Sequence, residues 1–185
     1  MNGENCAESG TSTVQSLDRA LLVDLAPSIL RVVRQMLGPR DPDVEDLAQE
    51  SLRALIMAWP TFRGECSPRH FAKRIAAQRC IDAIRGNHVR IRALQALARE
   101  PNAEAEGEPP SARLRQSWRL ALAELPAEQA NALTQRYVLG YTLEEIAAET
   151  RVPINTVKSR LRLAKQVLRA KVAHDPRLAE LLESP

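Results

Sequence analysis

Apolar residues recur at three- and four-residue intervals along most of this 185-residue chain, and no stretch alternates apolar and polar with period two. That spacing constrains the fold more than any other feature. A stripe repeating every 3 to 4 residues, close to the roughly 3.6-residue helical period, is buried in one piece only if the segment is a helix. β-branched and aromatic residues, the usual material of strands, are sparse. An all-α fold is expected.

Punctuation divides the helical pattern. Residues 1–15 read as a disordered polar tail. A first helix is expected from Ser16 to Leu37, with Leu21, Leu22, Leu25, Ile29, Leu30, Val33 and Leu37 on its apolar face. Pro27 inside it is a candidate kink, and Gly38-Pro39 ends it. A second helix starts at Asp41 or Asp43 with an acidic first turn, which suits the helix dipole, and stops at Trp59-Pro60. A polar loop, Thr61 to Ser67, follows. Ser67 then reads as an N-cap with Pro68 at the first helical position, and this third helix is expected to stop at Arg85, before Gly86-Asn87.

Residues 98–111, AREPNAEAEGEPPS, are rich in Pro, Gly, Ala and Glu and read as a linker. Two small helical domains joined by a flexible acidic linker are therefore expected: residues 16–88 and 112–174, with 89–111 between them and 175–185 as a C-terminal tail. Each domain is small enough that its core confers only modest stability alone. The second domain reads as four helices, Ser111–Glu124, Ala127–Leu139, Thr142–Thr150 and Ile154–Ala173.

Several functions are disfavoured by what the chain lacks. Cys6, Cys66 and Cys80 are scattered, as are His70, His88 and His174, so neither a metal site nor a cofactor is expected. Clustered carboxylates or an activated Ser are likewise missing, and no catalytic residue is expected. No apolar run approaches the roughly 20 residues of a membrane span, and the polar N-terminus has no signal-peptide pattern. A cytoplasmic, non-enzymatic chain without membrane insertion is the expectation.

Charge points to a partner. The formal net charge is only +3, yet Thr150 to His174 holds seven Lys/Arg and no Asp/Glu. Just ahead of that basic stretch, Thr142 and Glu145 form a capping-box pair at the start of a short helix whose buried stripe is Leu143, Ile146 and Ala147. A tight turn at Thr150-Arg151-Val152-Pro153 leads into a longer helix. Ile154, Val157, Leu161, Ala164 and Leu168 face inward there, and Asn155, Lys158, Ser159 and Arg162 face outward. A capped short helix, a tight turn and a polar-basic stripe opposite an apolar one make a helix-turn-helix, whose outward side chains reach base edges and phosphates in a major groove. The expected contacts are Arg151, Asn155, Thr156, Lys158, Ser159, Arg160, Arg162 and Lys165, with Arg160, Lys165 and Arg169 on the phosphate flanks.

Two separated patterns resemble the paired domains of extracytoplasmic-function sigma factors, the smallest members of the sigma-70 family. LPAEQANAL…YVLGYTLEEIAAETRVPINTVKSRLRLAKQVL is similar to the domain that reads the −35 promoter element. DVEDLAQESLRALIMAWPTFRGE…FAKRIAAQRCIDAIR is similar to the domain that binds core RNA polymerase and reads the −10 element. Together they cover most of residues 20–172.

The resemblance implies that Asp43, Asp46, Gln49 and Glu50, beside Glu45, dock on the β′ coiled coil of the polymerase, while the second domain meets the β flap. It implies that the Phe62–Pro68 loop and the helix after it open and read the −10 element. Phe62 and Phe71 are the candidate stacking rings, and Gln78 lies on the reading helix. Arg63, Arg69, Lys73, Arg74, Arg79 and Arg85 supply positive charge. It also implies promoter DNA as the ligand, an anti-sigma factor as a further partner, and an acidic linker that enters the polymerase cleft.

The chain departs from the family pattern at Ile56, Phe71 and Gln78 in the first domain and at Arg151, Asn155 and Leu163 in the helix-turn-helix, where the changes point to an unusual −35 sequence. The competing class is a stand-alone helix-turn-helix regulator. It would need a dimerisation or sensor domain, and residues 16–88 show neither a heptad seam nor a strand-rich pattern.

Overall fold

The computed structural model describes residues 17–98 and 110–173. The sequence expectations for the N-terminal tail, residues 99–109 of the linker and the C-terminal tail lie outside those residues. The described residues form seven α-helices and no strand.

In the N-terminal half, α1 (Arg19–Leu37), α2 (Val44–Ala58) and α3 (Pro68–Ala98) pack against one another, with a short 3-10 turn at Trp59–Thr61 closing α2. Asp18 caps α1 by accepting a hydrogen bond from the Leu21 amide at 2.8 Å. The helix runs unbroken through Pro27. The carbonyl that Pro27 leaves without a donor belongs to Val23, an exposed residue on the solvent side of the helix. Gly38 ends the helix with φ +106°, a conformation that suits glycine. A Cβ added there would also lie 3.0 Å from Arg115 Nε, a side chain of the C-terminal half.

The third helix corrects the sequence expectation. It continues past Arg85 and Gly86 to Ala98, so the expected domain edge at residue 88 falls inside a helix. A single interior glycine costs about 1 kcal/mol relative to alanine. Arg90, Arg92, Ala93, Leu94, Gln95 and Ala96 beyond it are good helix formers, and they offset that cost. At its start the expectation holds: the Ser67 hydroxyl accepts from the His70 amide at 3.2 Å, and Pro68 is the first helical residue.

The C-terminal half comprises α4 (Pro110–Glu124), α5 (Ala127–Tyr137), α6 (Leu143–Thr150) and α7 (Ile154–Ala173). α4 and α5 both pack on α7, and α6 leans on α5 and α7. Ala121, Leu122, Ala130, Leu133, Ile146, Val157, Leu161 and Ala164 are buried there. The core is continuous with that of the first half, because α4 also packs on α3 and α1, and α5 meets α3. The two helical halves therefore lie side by side in contact.

Candidate nucleic-acid interface

The α6–α7 pair is built from its cap outward. The Thr142 hydroxyl accepts from the Glu145 amide at 3.1 Å, and the Glu145 carboxylate accepts from the Thr142 amide at 2.8 Å. This reciprocal pair satisfies two otherwise orphaned donors and starts the eight-residue α6 at one register. The Thr142 amide holds the Glu145 carboxyl below its ordinary range. Buried Ile146 anchors the helix.

Arg151 then takes the left-handed conformation, φ 54° and ψ 38°, and the Val152 amide bonds back to the Ala147 carbonyl. Arg151 is the one non-glycine residue with positive φ among the described residues. Since the left-handed conformation costs an L-residue roughly 1–2 kcal/mol, Arg151→Gly should raise the stability of the chain by about 1 kcal/mol. The same change should weaken duplex binding if the guanidinium touches DNA. Denaturant unfolding and a DNA titration on the one variant read both effects, and a destabilised variant would refute the strain argument.

α7 follows with the two faces that its spacing predicts. Val157, Leu161 and Ala164 are buried, while Ile154 and Leu168 are half-buried. Asn155, Lys158, Ser159 and Arg162 are exposed along one side, with Arg151 and Lys165 beside them. Thr156 and Arg160 are half-buried at the margin. The Lys165 ammonium also lies 5.5 Å from the Tyr137 ring centroid. Nothing covers the polar stripe among the described residues.

The Phe62–Pro68 loop and α3 present a different picture. Phe62 and Phe71, expected as stacking rings, are buried in a cluster with Trp59. Ring centroids lie 4.8 Å apart for Trp59–Phe62 and 4.9 Å for Phe62–Phe71. As the chain stands, both rings are core. Arg63 and Arg79 are exposed, Lys73 is half-buried, and Arg69 pairs with Asp24 at 3.1 Å. Gln78 is half-buried and donates to Asp82 at 2.9 Å.

Arg74 and Arg85 are turned toward the C-terminal half. The Arg74 guanidinium sits 5.1 Å from the Phe71 centroid and forms an ion pair with Glu149 on α6. Arg85 donates to the Leu125 carbonyl at 2.7 Å and lies 3.4 Å from that of Leu122, at the carbonyl-rich end of α4.

The acidic stripe of α2 is where the sequence places it. Asp43, Glu45, Asp46, Gln49 and Glu50 are all exposed, while Val44, Leu47, Ala48 and Ser51 face the core. Glu45 makes an ion pair with Arg34. Asp41 was read from sequence only as a candidate helix start. Its side chain accepts from Arg119 of α4 at 2.6 Å, a pairing across 78 residues that no local spacing signals. Glu149 and the His70–Tyr141 ring pair, 4.9 Å between centroids, were missed for the same reason.

No group of His, Cys, Asp and Glu among the described residues could hold a metal ion. Burial pushes the Cys80 thiol up to about 12, which keeps it protonated and inert. Cys66 is half-buried, and burial raises its thiol as well. Among the described residues no helix is long and apolar enough to cross a membrane.

Comparison with known proteins places both halves. The family model described as sigma-70 region 2 matches residues 21–90, and that described as sigma-70, region 4, matches residues 115–168, together about two thirds of the chain. Among solved structures the chain is similar to the sigma factor RpoE from Bartonella quintana, seen in complex with the anti-sigma factor NepR. That match has 17% identity and a TM-score of 0.47, and it covers 83% of this chain and 95% of the other.

Proposed function

The chain belongs to the sigma-70 family, and from that premise we propose that it binds core RNA polymerase through α2 and directs it to promoters read by α3 and α7. The observation that carries this is the succession of region 2 and region 4 in one chain. A helix-turn-helix alone serves many regulators, whereas this pair in this order serves promoter-specific initiation. Sigma factors are generally non-enzymatic, and the nucleotidyl chemistry belongs to the polymerase.

The division of labour follows from exposure. Asp43, Asp46, Gln49 and Glu50 form a solvent-facing acidic row suited to a basic or amide-rich docking surface. Asn155, Lys158, Ser159 and Arg162 form the base-reading stripe, with Arg151, Thr156, Arg160 and Lys165 around it on phosphates. Arg63, Lys73, Arg74, Gln78 and Arg85 surround the −10 strand once melted, with Phe62 and Phe71 supporting the loop from beneath. Two weak readers linked through the polymerase give a specificity that neither has alone. The small size and two-region content suit the extracytoplasmic-function group, and an anti-sigma factor is the partner expected to hold such a chain inactive.

Run-off transcription with purified core polymerase tests this. Promoter-specific transcripts that require the chain are the expected result. No transcript, together with tight binding of the chain alone to a two-fold symmetric site, would return it to the stand-alone regulators. Within the same assay, Arg162→Ala should cost roughly 1–3 kcal/mol at one −35 base pair and relax selectivity there. A loss spread evenly over all promoter sequences would make Arg162 a phosphate contact instead.

A further inference from the structure

One apolar surface of the second domain is open to solvent. Leu114 and Trp118 of α4, Tyr137 and Val138 of α5 and Leu168 of α7 line a groove of about 450 Å³. Leu114 is 50% exposed and Tyr137 is 48% exposed, while Trp118 is half-buried. Arg115, Lys165 and Arg169 line the same groove. The Lys165 ammonium lies over the Tyr137 ring, and no carboxylate among the described residues pairs with any of the three. Single exposed apolar residues are ordinary, but apolar side chains gathered in one concave place mark a surface that something covers.

The chain itself carries a segment that fits. Three segments lie outside the described residues: 1–16, 99–109 and 174–185. Only the last has large apolar residues at helical spacing. Leu178, Leu181 and Leu182 fall at i, i+3 and i+4, which places them on one face of a helix. Asp175-Pro176 is the N-cap and first-position pattern of a new helix, so the chain is expected to turn directly after α7. Asp175, Glu180 and Glu183 outnumber Arg177, and the segment is therefore acidic where the groove is basic. The reach fits as well. At roughly 1.5 Å per residue, α7 runs about 12 Å from Lys165 to Ala173, and a helix over residues 176–184 would run about 13 Å. A helix returning from the end of α7 thus spans the length of α7 that lines the groove.

We propose that residues 174–185 fold back as a short amphipathic helix and dock in this groove of the same chain, with Leu178, Leu181 and Leu182 against Trp118, Tyr137 and Leu168. The segment adds a further helix to the four of the second domain. Its leucines cover the open apolar surface. Its acids stay in solvent but within roughly 10 Å of the groove's cations, a distance over which charge still acts at about 0.1 M salt. This docking requires neither DNA nor polymerase, and it stands or falls independently of the sigma-factor reading.

Hydrogen exchange on the full chain tests it. Amides of residues 178–184 should exchange about 10-fold or more slowly than in a free peptide of the same sequence, as expected when the docked form holds about 90% of chains. Leu178→Glu with Leu182→Glu, which spoils the segment, should abolish that slowing. It should also raise acrylamide quenching of Trp118, against a constant background from buried Trp59. Leu114→Glu with Tyr137→Glu, which spoils the groove, should release the segment in the same way. Amides of α5 and α7, read in the same experiment, report whether the second domain stays folded. If the groove variant loses their protection it has unfolded, and Trp118 quenching in the segment variant decides.

A wild-type segment that exchanges at the free-peptide rate overturns the proposal. So does slowing that survives in a folded groove variant, because the segment would then be held elsewhere. Unchanged Trp118 quenching in the segment variant overturns it too. Slowing that disappears on dilution from about 50 to 1 μM would place the segment in the groove of a second copy and likewise overturn docking within one chain.

Discussion

Phe71→Ala should lower the unfolding free energy of the chain by about 3–5 kcal/mol, the cost of emptying a well-packed aromatic site. Phe71 is 5% exposed, with its ring centroid 4.9 Å from Phe62 and 6.0 Å from Trp59. The three rings pin the loop after α2 to the start of α3, so truncation leaves a cavity that the neighbouring rings cannot fill without moving the loop. In a small helical domain that is a large part of the total stability. Phe71→Leu keeps most of the volume and should cost under about 1.5 kcal/mol. Urea unfolding of both variants is the measurement. Near-neutral behaviour of Phe71→Ala would mean that the ring is free to leave the cluster and face DNA, and the core assignment would fall.

The second large effect is expected on the exposed face of α2. Asp46→Lys with Glu50→Lys should weaken binding to core polymerase by roughly 100-fold or more, since like charges set against a basic docking surface cost several kcal/mol. Both side chains are exposed on α2, with Leu47, Ala48 and Ser51 facing inward, so the fold should be nearly indifferent to the change. A fluorescence titration with core enzyme reads the affinity, and thermal unfolding of the free variant reads the fold. Unchanged affinity in a folded variant would remove the acidic row from the docking surface. A large loss of stability would show that the row serves the fold first.

These two expectations also mark the boundary between local and tertiary information. The acidic row was legible because Asp43, Asp46, Gln49 and Glu50 recur at helical spacing. Spacing along a helix decides which side chains share a face. The capping box at Thr142 and Glu145, the turn at Arg151 and the stripe on α7 were legible for the same reason: each depends on residues within one or two turns. The end of α3 was misjudged because Gly86-Asn87 is a weak local stop signal, and the helix formers after it outweigh one glycine.

What the sequence by itself determined is therefore the helical class, the two successive regions that the family models match, and the face of each helix that carries charge. What only the tertiary structure decided is whether those faces are free. Phe62 and Phe71 read from sequence as candidate stacking rings, and packing with Trp59 buries both. Arg74 and Arg85 read as positive charge for DNA, and Glu149 and the end of α4 engage them. A side chain's chemistry is local, but its partner is set by which distant helix folds over it, and that depends on the summed burial of both halves.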